Sequence, residues 1–158
     1  MSLISVNNLT FGYEGSINNV FENVSFNIDT DWKLGLIGRN GKGKTTFLKL
    51  LLGMYEYRGT ILKSVDFDYF PFEVKNKKRM AIEIVNEIAT NVEDWEIIKE
   101  INLLNTSSEI LYRNFDLLSG GEQIKILLIS LFLKGNNFLL IDEPTNHLDS
   151  ETRENLVE

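Results

Sequence analysis

The feature that most constrains this chain is an eight-residue run, Gly38-Arg39-Asn40-Gly41-Lys42-Gly43-Lys44-Thr45, which fits G-x-x-x-x-G-K-[ST] in full. Ahead of it, Leu34-Gly35-Leu36-Ile37 reads as a short apolar strand. Behind it, Phe47, Leu48, Leu51 and Leu52 fall on one face of a helix that Gly53 is placed to end. A glycine-rich loop between strand and helix lets successive backbone N–H groups curl around an anion, while the helix start adds its dipole. A triphosphate fits this arrangement. Gly38, Asn40, Gly41 and Gly43 shape the cradle, and Lys44 is spaced to reach the β- and γ-phosphates. Thr45 offers its hydroxyl to Mg²⁺, and Thr46 is placed to touch the α-phosphate. The bland alternative is a glycine-rich turn that carries Lys-Thr by chance; the strand and helix on either side argue against it.

A second acidic element lies far along the chain. Phe138-Leu139-Leu140-Ile141-Asp142-Glu143 is an apolar strand ending in two carboxylates. Beside a phosphate-binding loop, an acid at such a strand end holds the metal, usually through water. Asp142 suits that role, and Glu143 is then placed to orient an attacking water and accept its proton. Taken alone, the same residues describe any strand running into a polar turn. Between the two elements lies Leu118-Ser119-Gly120-Gly121-Glu122. Ser119 and Glu122 form a capping box for the apolar helix that follows. That leaves the two glycines unexplained, since each costs a first turn about 1 kcal/mol relative to alanine. Bare backbone at a helix start suits close approach of an anion.

The remaining pattern is mixed. Residues 3–8 and 24–28 alternate as strands, with Gly12 and Gly15 marking turns. Residues 60–62 and 65–70 read as a β-hairpin stopped by Pro71. Residues 80–104 are helical in period, with one stripe of Ala81, Ile84, Val85 and Ile88 and a second of Trp95, Ile98 and Ile101. Residues 119–134 form a helix apolar on several sides, ended by Gly135, and residues 138–142 a buried strand. This order predicts an α/β layered domain with a largely parallel central sheet.

Composition narrows the functions open to such a domain. With 16 basic against 23 acidic residues the formal charge is −7, which disfavours direct nucleic-acid binding through phosphate contacts. The one basic run, residues 75–79, reads as a solvated loop before a helix. There are no cysteines, so disulfides and thiolate metal sites are excluded. Apolar runs such as residues 126–129 and 138–141 fall well short of a membrane span, which needs roughly 18 residues. Residues 1–7 lack the pattern of a signal peptide, so the expected location is cytoplasmic.

The segment Leu118–Glu122 resembles the signature motif of the ABC ATPases, and with the 38–45 loop and the Asp142-Glu143 strand it completes that family's three-part pattern. The resemblance implies a P-loop NTPase fold of the ABC nucleotide-binding type, with an N-terminal antiparallel β portion and an inserted helical subdomain. One domain is expected, with its core at residues 1–72 and 116–158 and the helical part at about 73–115. The implied ligands are ATP and Mg²⁺. Ser119 and Gly121 are then expected to contact the γ-phosphate of ATP held by an opposing nucleotide-binding domain, with Asp149 at the same interface as the D-loop aspartate. Tyr13, with Phe11 nearby, matches the aromatic that stacks on adenine, the alternative being a core aromatic.

The run Asp142-Glu143-Pro144-Thr145-Asn146-His147-Leu148-Asp149 resembles the ABC-F branch, whose members carry two such domains on one polypeptide and act on the ribosome. Residues 32–41, Asp68-Tyr69-Phe70-Pro71, Trp95 and Leu103-Leu104-Asn105 look like the Lsa-type antibiotic-resistance members. The 75 positions from Lys44 to Ser119 leave only a compact helical region, which agrees with that branch. Two departures stand out. Phe72 occupies the place of the family's Q-loop glutamine, and the chain ends nine residues after Asp149, short of the strand that bears the switch histidine. His147 does not fill that role and reads as a turn or interface residue. The sequence is therefore expected to be C-terminally truncated, part of a longer protein whose ribosome contacts lie elsewhere. Two alternatives remain: the ATP-binding subunit of a transporter docking on a membrane permease, and a nucleotide-binding and dimerisation module with little hydrolysis, which Phe72 motivates.

Overall fold

The computed structural model describes residues 3–39, 41–135 and 137–143. They fall into two compact units, Met1–Phe67 and Asp68–Glu158.

The first unit is built on a three-stranded antiparallel sheet in the order β2-β1-β3, with β1 (Leu3–Phe11) central, β2 (Phe21–Asp29) and β3 (Arg58–Leu62). Alternation along β1 buries Ile4 and Val6, then Leu9 and Phe11, so the inward set changes from even to odd positions. A bulge causes the change. Asn8 has a positive φ of 52°, and both ladders slip there, between Val6 and Leu9 on one side and Asn7 and Thr10 on the other. Gly59 answers the bulge from β3: a Cβ there would lie 2.5 Å from the carbonyl oxygens of Asn7 and Asn8, and its φ is +103°. Helix α1 (Lys44–Leu51) buries Thr46, Phe47, Leu50 and Leu51, and Gly53, with φ of +74°, closes it as its position predicts.

The second unit begins one residue into β4 (Phe67–Phe70), which pairs with β5 (Phe138–Ile141). Between them lie α2 (Ala81–Ile88), α3 (Asp94–Leu103), two short 3₁₀ turns (Ser108–Tyr112 and Phe115–Leu117) and α4 (Gly120–Lys134). The core gathers Ile84, Val85, Ile97, Ile101, Leu111, Phe115, Ile126 and Ile129. Seven consecutive residues of α4, Lys125 to Leu131, are buried, which accounts for a helix apolar on several sides. All three helices start alike. A glutamate in the first turn reaches back to the N–H before the helix: Glu83 to Met80 at 2.9 Å, Glu96 to Glu93 at 2.9 Å and Glu122 to Ser119 at 2.7 Å.

Two expectations need correction. The predicted hairpin does not form, because β3 pairs with β1 and β4 with β5; Val6↔Ile61 places an apolar pair across the first ladder, and partner choice follows such pairs rather than nearness in sequence. Residues 34–37 are not a strand: they pair with nothing in a ladder, and Ile37 is 95% exposed. Apolar composition favours a strand only where a neighbouring strand supplies the ladder. Among the described residues the expected largely parallel sheet is therefore replaced by one antiparallel sheet of three strands and one pair. The 80–104 stretch is helical as expected, its two stripes falling on two helices parted at Asn91, whose φ of 64° no helix continues. On α3 the buried positions are Ile97 and Ile101, while Trp95 stands 64% exposed. The other tryptophan, Trp32, belongs to the first unit and is 55% exposed.

Candidate nucleotide-binding site

In the first unit the loop ahead of α1 has the turn chemistry its sequence demands. Gly41 has φ of +75° and Gly43, which begins the helix, +93°. Space excludes a side chain at Gly43 as well: a Cβ there would lie 2.7 Å from Val20 Cγ1 and 3.0 Å from Phe21 Cζ. The start of β2 thus holds the second half of the loop from outside. Under it, Phe47 packs against Phe21 and Phe26, with ring centroids 6.1 and 5.4 Å apart. The Lys44 ammonium folds over the loop and donates to Gly38 O at 2.7 Å and Arg39 O at 3.4 Å. No side chain caps α1. Its first N–H groups, from Lys44, Thr45 and Thr46, are the ones a helix start offers to an anion. Asn40 lies outside the described residues.

Tyr13 stands just past the end of β1 and is 45% exposed, so it is not a core aromatic. Its ring meets Phe11 and Tyr55 edge-on at 5.1 and 5.8 Å, and its hydroxyl lies 2.7 Å from Thr46 Oγ1. The structure thus brings Tyr13 together with Thr46, two residues that sequence reasoning selected separately. It also adds Tyr55, which that reasoning missed. No motif includes Tyr55, and only its position after α1 brings it beside Phe11, where the two rings stack at 5.3 Å.

In the second unit Asp142 follows β5 and is half-buried. Its backbone N–H donates to Phe70 O at 2.9 Å, and its Oδ2 accepts from the Tyr69 hydroxyl at 3.0 Å. Tyr69 orients the carboxylate and leaves it other lone pairs for a cation. Glu143 is exposed and has φ of 46°, a left-handed conformation that a non-glycine residue holds at a cost and that is common at functional positions. Taken each within its own unit, the Thr45 hydroxyl and the Asp142 carboxylate are hard oxygen donors of the kind Mg²⁺ takes. By its chemistry, each of the two residues fits the implied metal.

The signature segment forms as the capping box requires. Ser119 Oγ accepts from Glu122 N at 3.3 Å, and Glu122 Oε2 accepts from Ser119 N at 2.7 Å. Hydrogen bonding to Ser119 lowers the Glu122 pKa, and the charges of Arg113 and Lys125 lower it further, against the opposing cost of partial burial. The Gln123 side-chain amide donates to Phe115 O and Leu118 O, each at 3.0 Å, and ties the preceding turn to the helix. At Gly120 a Cβ would meet nothing within 4 Å, so the fold of this unit does not itself demand glycine there. Phe72 lines an open cavity of about 510 Å³ with Phe115, Gln123, Ile124 and Leu127. Asp149, His147 and the rest of residues 144–158 lie outside the described residues.

A glycine-rich phosphate loop opening a helix, an acidic strand end and a serine-capped double-glycine helix start are the parts of a P-loop nucleotide-binding protein of the cassette type. Comparison with known proteins agrees. The ABC transporter family model matches residues 21–146. ABC transporter F family member 2 of Arabidopsis thaliana is 35% identical over 99% of this chain and 24% of its own length. The Uup-like ATP-binding protein of Haemophilus influenzae is 39% identical over 80% of this chain and 29% of its own. A solved structure from Pyrococcus furiosus, described as an ABC transporter ATP-binding protein, superposes with a TM-score of 0.84 at 20% identity, covering 99% of this chain and 82% of that one. The chain belongs to the ABC transporter family, within its F branch. It spans about a quarter of the length of the curated relatives it matches. Proteins of this family bind ATP with Mg²⁺, hydrolyse it, and work with a second nucleotide-binding domain. Among the described residues no helix is long and apolar enough to cross a membrane.

Proposed function

We propose that this chain is the nucleotide-binding half-site of a cytoplasmic ABC-F protein that acts on the ribosome, in the manner of the antibiotic-resistance members it resembles. The observation that carries the reading is the 38–46 loop, whose glycine at position 43 is required both by its backbone and by Val20, and whose lysine lies across the cradle. In this reading Gly38, Asn40, Gly41, Gly43, Lys44 and Thr46 hold the phosphates and Tyr13 carries adenine. Thr45 and Asp142 hold Mg²⁺, and Glu143 orients the attacking water. Ser119 and Gly121 face the nucleotide of a second domain, and Asp149 lies at that interface. Relatives of the F branch, aligned over 99% of this chain, favour this reading over a permease-coupled subunit.

The test uses the whole reading frame with Glu143→Gln, which should retain ATP without turning it over. Sedimentation with ribosomes should then become ATP-dependent; equal sedimentation with and without ATP would remove the ribosome from the proposal.

One observation favours a second reading, a nucleotide-gated module with little turnover. Phe72 packs against the apolar core and lines the cavity beside Gln123, where a phenyl ring can neither bind a metal nor hold a water. Replacing it by glutamine should raise the turnover of the whole protein if this reading holds. An unchanged rate would dismiss it.

A further inference from the structure

The contact between Tyr13 and Thr46 does more than place an aromatic ring near the loop. Thr46 is only 6% exposed and stands in the first turn of α1. A threonine there ordinarily bonds to its own helix or to water. Here its hydroxyl meets the Tyr13 hydroxyl at 2.7 Å. Tyr13 is in turn fixed on three sides. Its carbonyl accepts from Ser16 N at 3.0 Å in a tight turn, its ring is wedged edge-on against Phe11 and Tyr55, and its oxygen is held by Thr46.

Two hydroxyls that share one hydrogen bond have one hydrogen left over. If Tyr13 donates, the spare hydrogen is on Thr46, at the helix start. If Thr46 donates, the spare hydrogen is on Tyr13. An anion at the helix start needs donors, so it selects the first arrangement and polarises both bonds in the same direction. We propose that Tyr13 is a positioning residue for Thr46: its phenol O–H donates to Thr46 Oγ1 and turns the Thr46 hydrogen toward the phosphate nearest the helix start. This rests on the reading of residues 38–46 as a nucleotide-phosphate site. It gives Tyr13 a second task, separable from any stacking of its ring on a base. The ring acts on the base, and the hydroxyl acts on the phosphate through Thr46.

The experiment measures MgATP binding by the full chain, with folding of each variant followed by circular dichroism. Tyr13→Phe keeps the ring and removes the hydroxyl; it should weaken binding about tenfold, the scale of one hydrogen bond serving a charged group. Thr46→Val should cost about the same, and the double variant should lose no more than either single one, because the two hydroxyls act as one unit. Thr46→Ser restores the hydroxyl and should recover most of what valine loses. Unchanged affinity in Tyr13→Phe would overturn the relay, as would losses that multiply to about a hundredfold in the double variant. If Tyr13→Phe fails to fold, the valine and serine variants decide alone: equal affinities for the two overturn the proposal. Lys44→Ala leaves the hydroxyl pair intact, so retained MgATP binding in that variant would sink the phosphate-site reading instead.

Discussion

Gly43 meets two separate demands at one position. Its φ of +93° is the left-handed conformation that a side chain resists, and Val20 and Phe21 fill the space a Cβ would need. Gly43→Ala should therefore destabilise the first unit by about 1–3 kcal/mol, the scale of a residue held in an unfavourable backbone region, with any steric repacking added to it. Thermal unfolding followed by circular dichroism checks this, and an unchanged midpoint would show that the loop yields easily. At this scale the backbone of the loop was legible, since the glycines that the motif places at 41 and 43 both take a positive φ. The motif's spacing singles out Gly43, Lys44 and Thr45, because a phosphate cradle admits few residue types at each place. Tyr55 and Tyr69 were not legible as partners, since nothing local marks a side chain whose neighbour is recruited across the fold.

Among the elements, α4 depends on the Ser119–Glu122 box. The Glu122 carboxylate is stabilised in its charged form by Ser119, so its pKa in the folded protein lies below its unfolded value. The contribution is thus present above the ordinary glutamate value of about 4.5 and is lost as the pH falls through the lower folded value. Glu122→Ala, which removes the carboxylate altogether, should lower stability near neutral pH by about 0.3–1 kcal/mol, the scale of an acid at a helix start, and flatten the acid limb of the stability profile. Urea titrations at neutral and acid pH would measure both, and a profile of unaltered slope would count against the assignment. The capping box and Gly135 made the bounds of α4 readable to within a residue. The strand at residues 34–37 and the hairpin at 60–70 were misread for a common reason. A short apolar run becomes a strand through its ladder partner, and the partner of β3 lies about fifty residues earlier in the chain.

Across the whole molecule, the composition of one ordinary domain resolves into two units, each with buried apolar residues of its own. In the second, Ile126 is fully buried among Ile97, Ile101 and Leu111. Ile126→Ala should cost about 2–5 kcal/mol, depending on how far the core closes over the void. Urea unfolding followed by far-ultraviolet circular dichroism would detect it, and a loss under 1 kcal/mol would mean that the core there is loosely packed. The exposed tryptophans explain that choice of probe. Each unit carries one indole, Trp32 and Trp95, and both are more than half exposed in the folded state. Rings this exposed are expected to emit close to the wavelength of a solvated indole, which leaves a small shift on unfolding. To an indole-wavelength probe the native protein should therefore look much like its own denatured form, and the backbone signal is the better record of the transition.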